Sequence, residues 1–85
     1  MLTLSVLLQI ATGAAIGKLS AGFGAAFAAM AASYGISRIG SSAMEAIARQ
    51  PEAGADIRSN MILSAALIEG VSFFAVVVCM LILFF

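Results

Sequence analysis

The chain contains no histidine and no tryptophan, and it has one proline and one cysteine among its 85 residues. A lone cysteine, Cys79, excludes an internal disulfide, and without histidine the residues favour no metal cluster and no cofactor site. Four basic residues are balanced by four acidic ones and form no basic stripe. The sequence therefore predicts no nucleic-acid partner.

Charged residues are scarce throughout the chain. They make up 9% of it, against 64% hydrophobic residues, and the mean hydropathy is +1.18. A soluble domain of this size could not cover so much apolar surface with so few charges. The stretches from Lys18 to Arg38 and from Ser59 to Phe85 are each long enough to cross a hydrocarbon core about 30 Å thick. The composition is typical of a small integral membrane protein.

Two apolar stretches joined by one polar segment predict an all-α fold, a two-helix transmembrane hairpin, because single strands cannot satisfy their backbone groups in lipid. We assign 1–85 to one domain, with helix one over about 13–48, a loop over about 49–55 and helix two over about 56–85. Pro51 disfavours helix at the residue before it. For residues 1–12 the sequence permits two structures, a continuation of helix one or an interfacial turn.

The basic residues predict the orientation of the hairpin. Arg38, Arg49 and Arg58 lie toward the loop, and Lys18 alone lies toward the other end. The positive-inside rule therefore places the loop in the cytoplasm and both termini on the opposite side.

Helix one consists largely of small residues. Its bulky side chains Phe23, Phe27, Met30 and Tyr34 fall at i, i+4, i+7 and i+11, which is one helical stripe. The other faces are mostly glycine, alanine and serine, which let membrane helices approach closely. Small residues on several faces favour a crowded ring or bundle over the alternative, a loosely specified alanine-rich span.

Glu69 is the only charged residue between Ser59 and Phe85. Ionisable groups at membrane depth are costly and mark ion paths or proton relays. A helix rises 1.5 Å per residue, so Glu69 lies roughly 16 Å beyond Arg58, near the bilayer midplane. The residues predicted to wall this site are Ala65, Ala66, Ser72 and Phe73 on helix two, and Ala32, Ser33 and Ile36 at the same depth on helix one.

The predicted site has few oxygen ligands, which favours a proton over sodium. A sodium ion needs several oxygens besides the carboxylate, and here only the hydroxyls of Ser72, Ser33 or Ser37 lie nearby. A proton needs only the carboxyl group and one acceptor. The alternative, a structural polar contact, is disfavoured because the span has no basic partner for Glu69 and an unpaired buried carboxylate costs desolvation.

Two segments resemble the c-subunit, or proteolipid, of F-type ATP synthases: Ala48-Arg49-Gln50-Pro51-Glu52 and Ala65-Ala66-Leu67-Ile68-Glu69-Gly70. The resemblance runs from about Gly22 to Phe85. Where this family has alternating glycines on its first helix, this chain has Ala31, Ser33, Gly35 and Ser37, which the resemblance implies are helix-packing positions. Sodium-using members carry oxygen-bearing side chains at the positions that match Ile36, Gly70 and Phe74 here.

The resemblance implies a ring of identical subunits in the bacterial plasma membrane, with helix one inside, helix two outside, and lipid around the ring. Glu69 would carry protons by reversible protonation as the ring turns against the a-subunit, coupling rotation to ATP synthesis, and the chain would have no catalytic site of its own. Arg49, Gln50, Pro51 and Glu52 would contact the central-stalk subunits gamma and epsilon. From other classes, a holin-like or structural hairpin forming an oligomeric pore, or a small secondary transporter, remain alternatives.

Overall fold

The computed structural model describes every residue from Met1 to Phe85 and shows two long helices joined by a tight turn. Helix α1 spans Leu2–Arg49, a 3-10 turn spans Pro51–Ala53, and helix α2 spans Gly54–Phe84. Both helices are long and apolar enough to cross a membrane. The predicted all-α hairpin is confirmed.

Helix α1 begins at Leu2, well before the start predicted near residue 13. The chain has no proline before Gln50, and a glycine inside a helix costs only about 1 kcal/mol relative to alanine, so Gly13 and Gly17 do not interrupt α1. The hydroxyl of Thr12 donates to the carbonyl oxygen of Leu8 at 2.8 Å and so stays within the helix. Residues 1–12 are therefore a continuation of α1.

The turn is shorter than the predicted loop over 49–55. Gln50 leaves helical geometry, with φ −133° and ψ 75°, as expected for a residue that precedes proline. Its N–H still donates to the carbonyl oxygen of Ala46 at 2.9 Å, and the N–H of Ala53 donates to the carbonyl oxygen of Gln50 at 3.0 Å. Pro51 occupies the first turn of the 3-10 segment, where its missing N–H costs nothing.

The contact face of α1 is built from alanine and glycine. Ala21, Ala32 and Ala43, at 3%, 7% and 8% exposure, are the three buried residues of the hairpin. They are three helical turns apart and therefore lie on one line along α1. Because these side chains are so short, the two helix axes approach closely, as small residues allow in membranes.

Two glycines on the same face receive side chains from α2. A Cβ added at Gly24 would lie 2.8 Å from Sγ of Cys79, and one added at Gly35 would lie 3.2 Å from Cδ1 of Ile68. These contacts fix an antiparallel register in which Ile68 and Gly35 are level. Glu69, the central residue of α2, is therefore level with the α1 residue that directly precedes Gly35.

Opposite this contact face, α1 carries its bulky stripe. Phe23, Phe27, Met30 and Tyr34 are all exposed. The rings of Phe23 and Phe27 are 6.5 Å apart, and the guanidinium carbon of Arg38 lies 5.9 Å from the centre of the Tyr34 ring. The stripe therefore faces away from α2 and is uncovered in a single hairpin.

Candidate ion-binding site

Glu69 lies on one side of the hairpin, where two open grooves meet between α1 and α2. Its side chain lines both grooves, and so does Ile36. We call these the upper groove, which extends toward the chain termini, and the lower groove, which extends toward the turn. Besides these two residues, the upper groove is lined by Ala29, Ala32, Ser33, Ser72, Phe73 and Val76, and the lower groove by Gly40, Met61, Ile62, Ala65 and Ala66.

All seven residues predicted to wall the site line one of these two grooves. Ala32, Ser33, Ser72 and Phe73 belong to the upper groove. Ala65 and Ala66 belong to the lower groove, and Ile36 to both. The prediction of these residues used only helical periodicity and equal distance along each helix from the turn.

Five groove residues were not predicted: Ala29, Gly40, Met61, Ile62 and Val76. Each lies about one helical turn beyond a predicted wall residue. Extending the predicted wall by one helical turn in each direction along both helices would have included all five, because residues at i+3, i+4 and i+7 share a helix face.

The polar groups of the grooves are few. Besides the Glu69 carboxyl they are the hydroxyls of Ser33 and Ser72. The Ser72 hydroxyl donates to the carbonyl oxygen of Ala28 across the helix pair at 3.4 Å. Ser72 is therefore engaged in a contact between α1 and α2, which leaves Glu69 with little oxygen around it.

Replacing Ser72 with alanine is expected to have a small effect. Its hydrogen bond is long, and hydrogen bonds between membrane helices contribute about 0.6 kcal/mol on average. We expect the oligomer that the resemblance implies to dissociate within a few degrees of the wild-type temperature, and the proton transfer that it implies to continue. A loss of transfer in Ser72→Ala with the oligomer intact would instead make Ser72 a ligand of the ion.

The carboxyl group of Glu69 is not enclosed by its own chain. Glu69 is exposed, and the grooves on either side of it are open. Arg38 extends from the opposite face of α1, beside Tyr34, and so gives Glu69 no charge partner. The remaining walls of the site must come from lipid or from a neighbouring molecule.

The four predicted packing positions do not share one face. Gly35 alone is partly covered by α2, while Ala31, Ser33 and Ser37 are exposed. Ala31 lines a groove with Leu67 on the side of the hairpin opposite Glu69, and Ser33 lines the upper groove. Residues two apart in a helix point about 200° apart, so this stretch presents small side chains to both sides.

The predicted loop contacts all lie at the tip of the hairpin. Arg49, Gln50, Pro51 and Glu52 are exposed, with no part of α1 or α2 covering them. They form the polar end of a structure that is 75 Å long and 17 Å wide. This tip is accessible to another protein.

The fold and the site together define a membrane hairpin with one carboxylate at the centre of its second helix. Residues 19–82 match the family model of the ATP synthase c-subunit. The ATP synthase c-subunit of Phocaeicola vulgatus is 62% identical over 81 residues, covering 95% of this chain and 96% of that protein. The ATP synthase c-subunit of Bacteroides thetaiotaomicron is 65% identical over 83 residues, with the same coverage of both chains.

A more distant relative, the ATP synthase c-subunit of Latilactobacillus sakei, is 47% identical over 66 residues, covering 78% of this chain and 94% of that protein. The chain belongs to the ATP synthase c-subunit family. It is therefore an integral membrane protein, a c-ring component of the membrane sector that assembles with other ATP synthase subunits. Family membership removes the support for a holin-like pore.

Proposed function

We propose that Glu69 carries protons across the membrane by reversible protonation, and that this couples rotation of the c-ring to ATP synthesis. The observation that carries the proposal is the placement of a single carboxylate at the centre of α2, open to one side of the hairpin. Helix α2 is about 46 Å long, close to the thickness of a bilayer with its headgroups, so its central residue lies near the midplane.

The surroundings of Glu69 support a proton rather than sodium. Ile36, which lines both grooves beside Glu69, offers no oxygen. Gly70 and Phe74 line a separate groove on α2 and also lack side-chain oxygens. A sodium ion would be left with too few ligands, since hard cations require several oxygens, whereas a proton binds to the carboxyl itself.

The physical cycle follows from the cost of charge in hydrocarbon. Low dielectric favours the neutral form of a carboxyl group, so Glu69 would be protonated while it faces lipid. It would release its proton opposite a cation and a water path supplied by the a-subunit. Each charge moved across the membrane field yields about 2.3 kcal/mol per 100 mV, so several protons per turn can drive ATP synthesis.

The remaining surfaces fit the same assembly. The exposed tip at Arg49, Gln50, Pro51 and Glu52 would contact the central-stalk subunits gamma and epsilon on the cytoplasmic side. Three arginines lie toward this end, which supports a cytoplasmic tip and termini on the other side of a bacterial plasma membrane.

The test is labelling with dicyclohexylcarbodiimide, which reacts with a protonated carboxyl group in an apolar site. In the intact complex we expect modification of Glu69 and no other carboxylate, located by mass spectrometry of fragments. Labelling should slow as pH rises, because the reactive neutral form disappears, and it should not respond to sodium.

The matched control is Glu69→Gln, which should take up no label under the same conditions. Protection of Glu69 by sodium would reverse the choice of ion. Labelling spread over Glu45, Glu52 and Asp56 as well would contradict a special site at Glu69.

A further inference from the structure

Helix α1 extends past the end of α2, on the side of the hairpin opposite the turn. In the register set by the contacts of Gly24 and Gly35 with α2, Phe85 is level with Lys18. Residues 2–17, which we call the extension, therefore continue beyond α2 for roughly 24 Å. The chain is exposed over residues 1–16. The hairpin thus leaves the extension uncovered.

The extension is apolar and contains no charged side chain. Its exposed aliphatic residues are Leu2, Leu4, Val6, Leu7, Leu8, Ile10 and Ile16. With Glu69 near the bilayer midplane, as proposed above, Lys18 lies roughly 24 Å from it along the helix, at the membrane surface, and the extension lies beyond. A contiguous apolar surface outside the hydrocarbon marks a site of interaction, so the extension needs a cover.

One face of the extension is polar. Residues 18 positions apart in a helix are about five full turns apart and lie on one line. The bulky stripe of α1 therefore continues through Ile16 and then becomes polar, at Thr12, Gln9 and Ser5. The Thr12 hydroxyl is hydrogen-bonded within α1, whereas the Gln9 amide has no partner in the chain, whose two side-chain hydrogen bonds are those of Thr12 and Ser72. Gln9 therefore requires water or a polar neighbour.

The two sides of the extension are apolar and unlike each other. By the same periodicity, Ala15 lies on the line of Ser33, on the Glu69 side of the hairpin, and Gly13 lies on the line of Ala31, on the opposite side. Other residues of the extension share these lines: Leu4 and Leu8 the first, Leu2 and Val6 the second.

A second copy of the chain is the partner that fits these sides. The chain is a c-ring component, and a ring brings one side of each hairpin against the other side of the next. The extension continues both sides without a break, since α1 is one helix from Leu2 to Arg49. Because rotation keeps equivalent residues level, Leu8 of one copy faces the neighbour's side at nearly the height of Val6.

The membrane surface is a poorer partner for the extension. Helices that lie on a membrane have a broad polar face rich in lysine and arginine. Here the polar face is a single line of three residues, and no basic side chain precedes Lys18. Apolar residues on both sides of that line fit neighbours on both sides.

We propose that the extensions of neighbouring copies pack side by side and form a collar of single helices beyond the end of α2. Leu4 and Leu8 of each copy are buried against the side of the next copy that carries Val6. Gln9 faces the axis of the ring, so the inner surface of the collar is polar. The proposal rests on assembly of the c-ring and on the depth of Glu69, and not on proton transfer.

The test is disulfide crosslinking in membranes, with Cys79→Ala as the background because Cys79 is the one native thiol. Val6→Cys combined with Leu8→Cys places a thiol on each side of the extension. On oxidation we expect a ladder of crosslinked species up to the size of the full oligomer, abolished by a reducing agent. Neither single variant should form crosslinked dimers, because unlike sides meet in a ring.

The matched control is Ile10→Cys combined with Thr12→Cys, which has the same spacing but lies on the α2 side and the axis side of the extension. It should give no species beyond dimers. A detergent-resistant oligomer without the ladder from Val6→Cys and Leu8→Cys, or an equal ladder from the control pair, would overturn the collar and leave the ring standing. Absence of any oligomer in the wild type would overturn the ring and the collar together.

A second measurement does not depend on cysteine variants. Leu8→Ala removes a side chain that the collar buries in every copy, so the oligomer should dissociate about 5 °C or more below the wild type. Gln9→Ala, at the adjacent position, should have a smaller effect. Dissociation of Leu8→Ala at the wild-type temperature would contradict burial of this leucine and overturn the collar.

Discussion

Replacing Glu69 with glutamine is expected to abolish ATP-driven proton pumping while leaving the oligomer assembled. Glutamine has nearly the same shape as glutamate and is neutral, so it fits the open grooves beside Ile36 as the protonated carboxyl would. It cannot release a proton, and no other carboxylate lies between Ser59 and Phe85 to replace it. Pumping is measured as acidification of inverted membrane vesicles after ATP is added, and assembly as the detergent-resistant oligomer on a gel.

The control for this experiment is Asp56→Asn, which neutralises a carboxylate in the first turn of α2, outside the apolar span. It should leave pumping close to that of the wild type. Acidification by Glu69→Gln vesicles above the level without ATP would refute the role of Glu69 as the proton carrier. Loss of the oligomer in this variant would show instead that the carboxyl is needed for assembly.

Replacing Gly24 with alanine is expected to weaken the packing of α1 against α2 strongly for so small a change. The added Cβ would lie 2.8 Å from Sγ of Cys79, closer than such atoms approach one another. If the thiol rotates away, the cost is small; if the helices separate, overpacking of this kind costs about 1–3 kcal/mol. Alanine offsets part of this cost, since glycine inside a helix is about 1 kcal/mol less favourable. The measurement is the temperature at which the oligomer dissociates in detergent.

A second substitution identifies the cause. Cys79→Ala removes the sulfur atom, so Gly24→Ala combined with Cys79→Ala should recover much of the stability lost by Gly24→Ala alone. Gly13→Ala is the matched control, since a Cβ there meets nothing within 4 Å. A double variant no more stable than Gly24→Ala would mean that the contact with Cys79 is not what limits this position.

The hairpin and the position of Glu69 along α2 could be predicted because both depend on properties that a sequence displays directly. The length of an apolar stretch decides whether a helix spans the membrane, and the distance of a charge from the turn decides its depth. The seven wall residues followed from helical periodicity and from the equal lengths of chain leading away from the turn. Each of these predictions requires only the sequence of a single helix or the position of the turn between the two helices.

The start of α1 and its contact face could not be predicted for the opposite reason. Gln9, Thr12 and Gly13 indicate a turn as well as a helix, and the hydrogen bond from Thr12 to Leu8 that keeps the hydroxyl within the helix is not visible in the sequence. Small residues on several faces of α1 leave its rotation about its own axis undetermined. Only the packing against α2 selects the line through Ala21, Ala32 and Ala43.

The two sides of the hairpin are unlike, since Ser33 and Glu69 lie on one side and Ala31 and Leu67 on the other. Identical copies that pack side by side must therefore contact each other through two different surfaces. Each added copy is rotated by the same angle until the ring closes. The copy number then depends on the wedge shape of the hairpin between these two sides. Under the proposed function, the number of protons carried per turn of the ring equals this copy number.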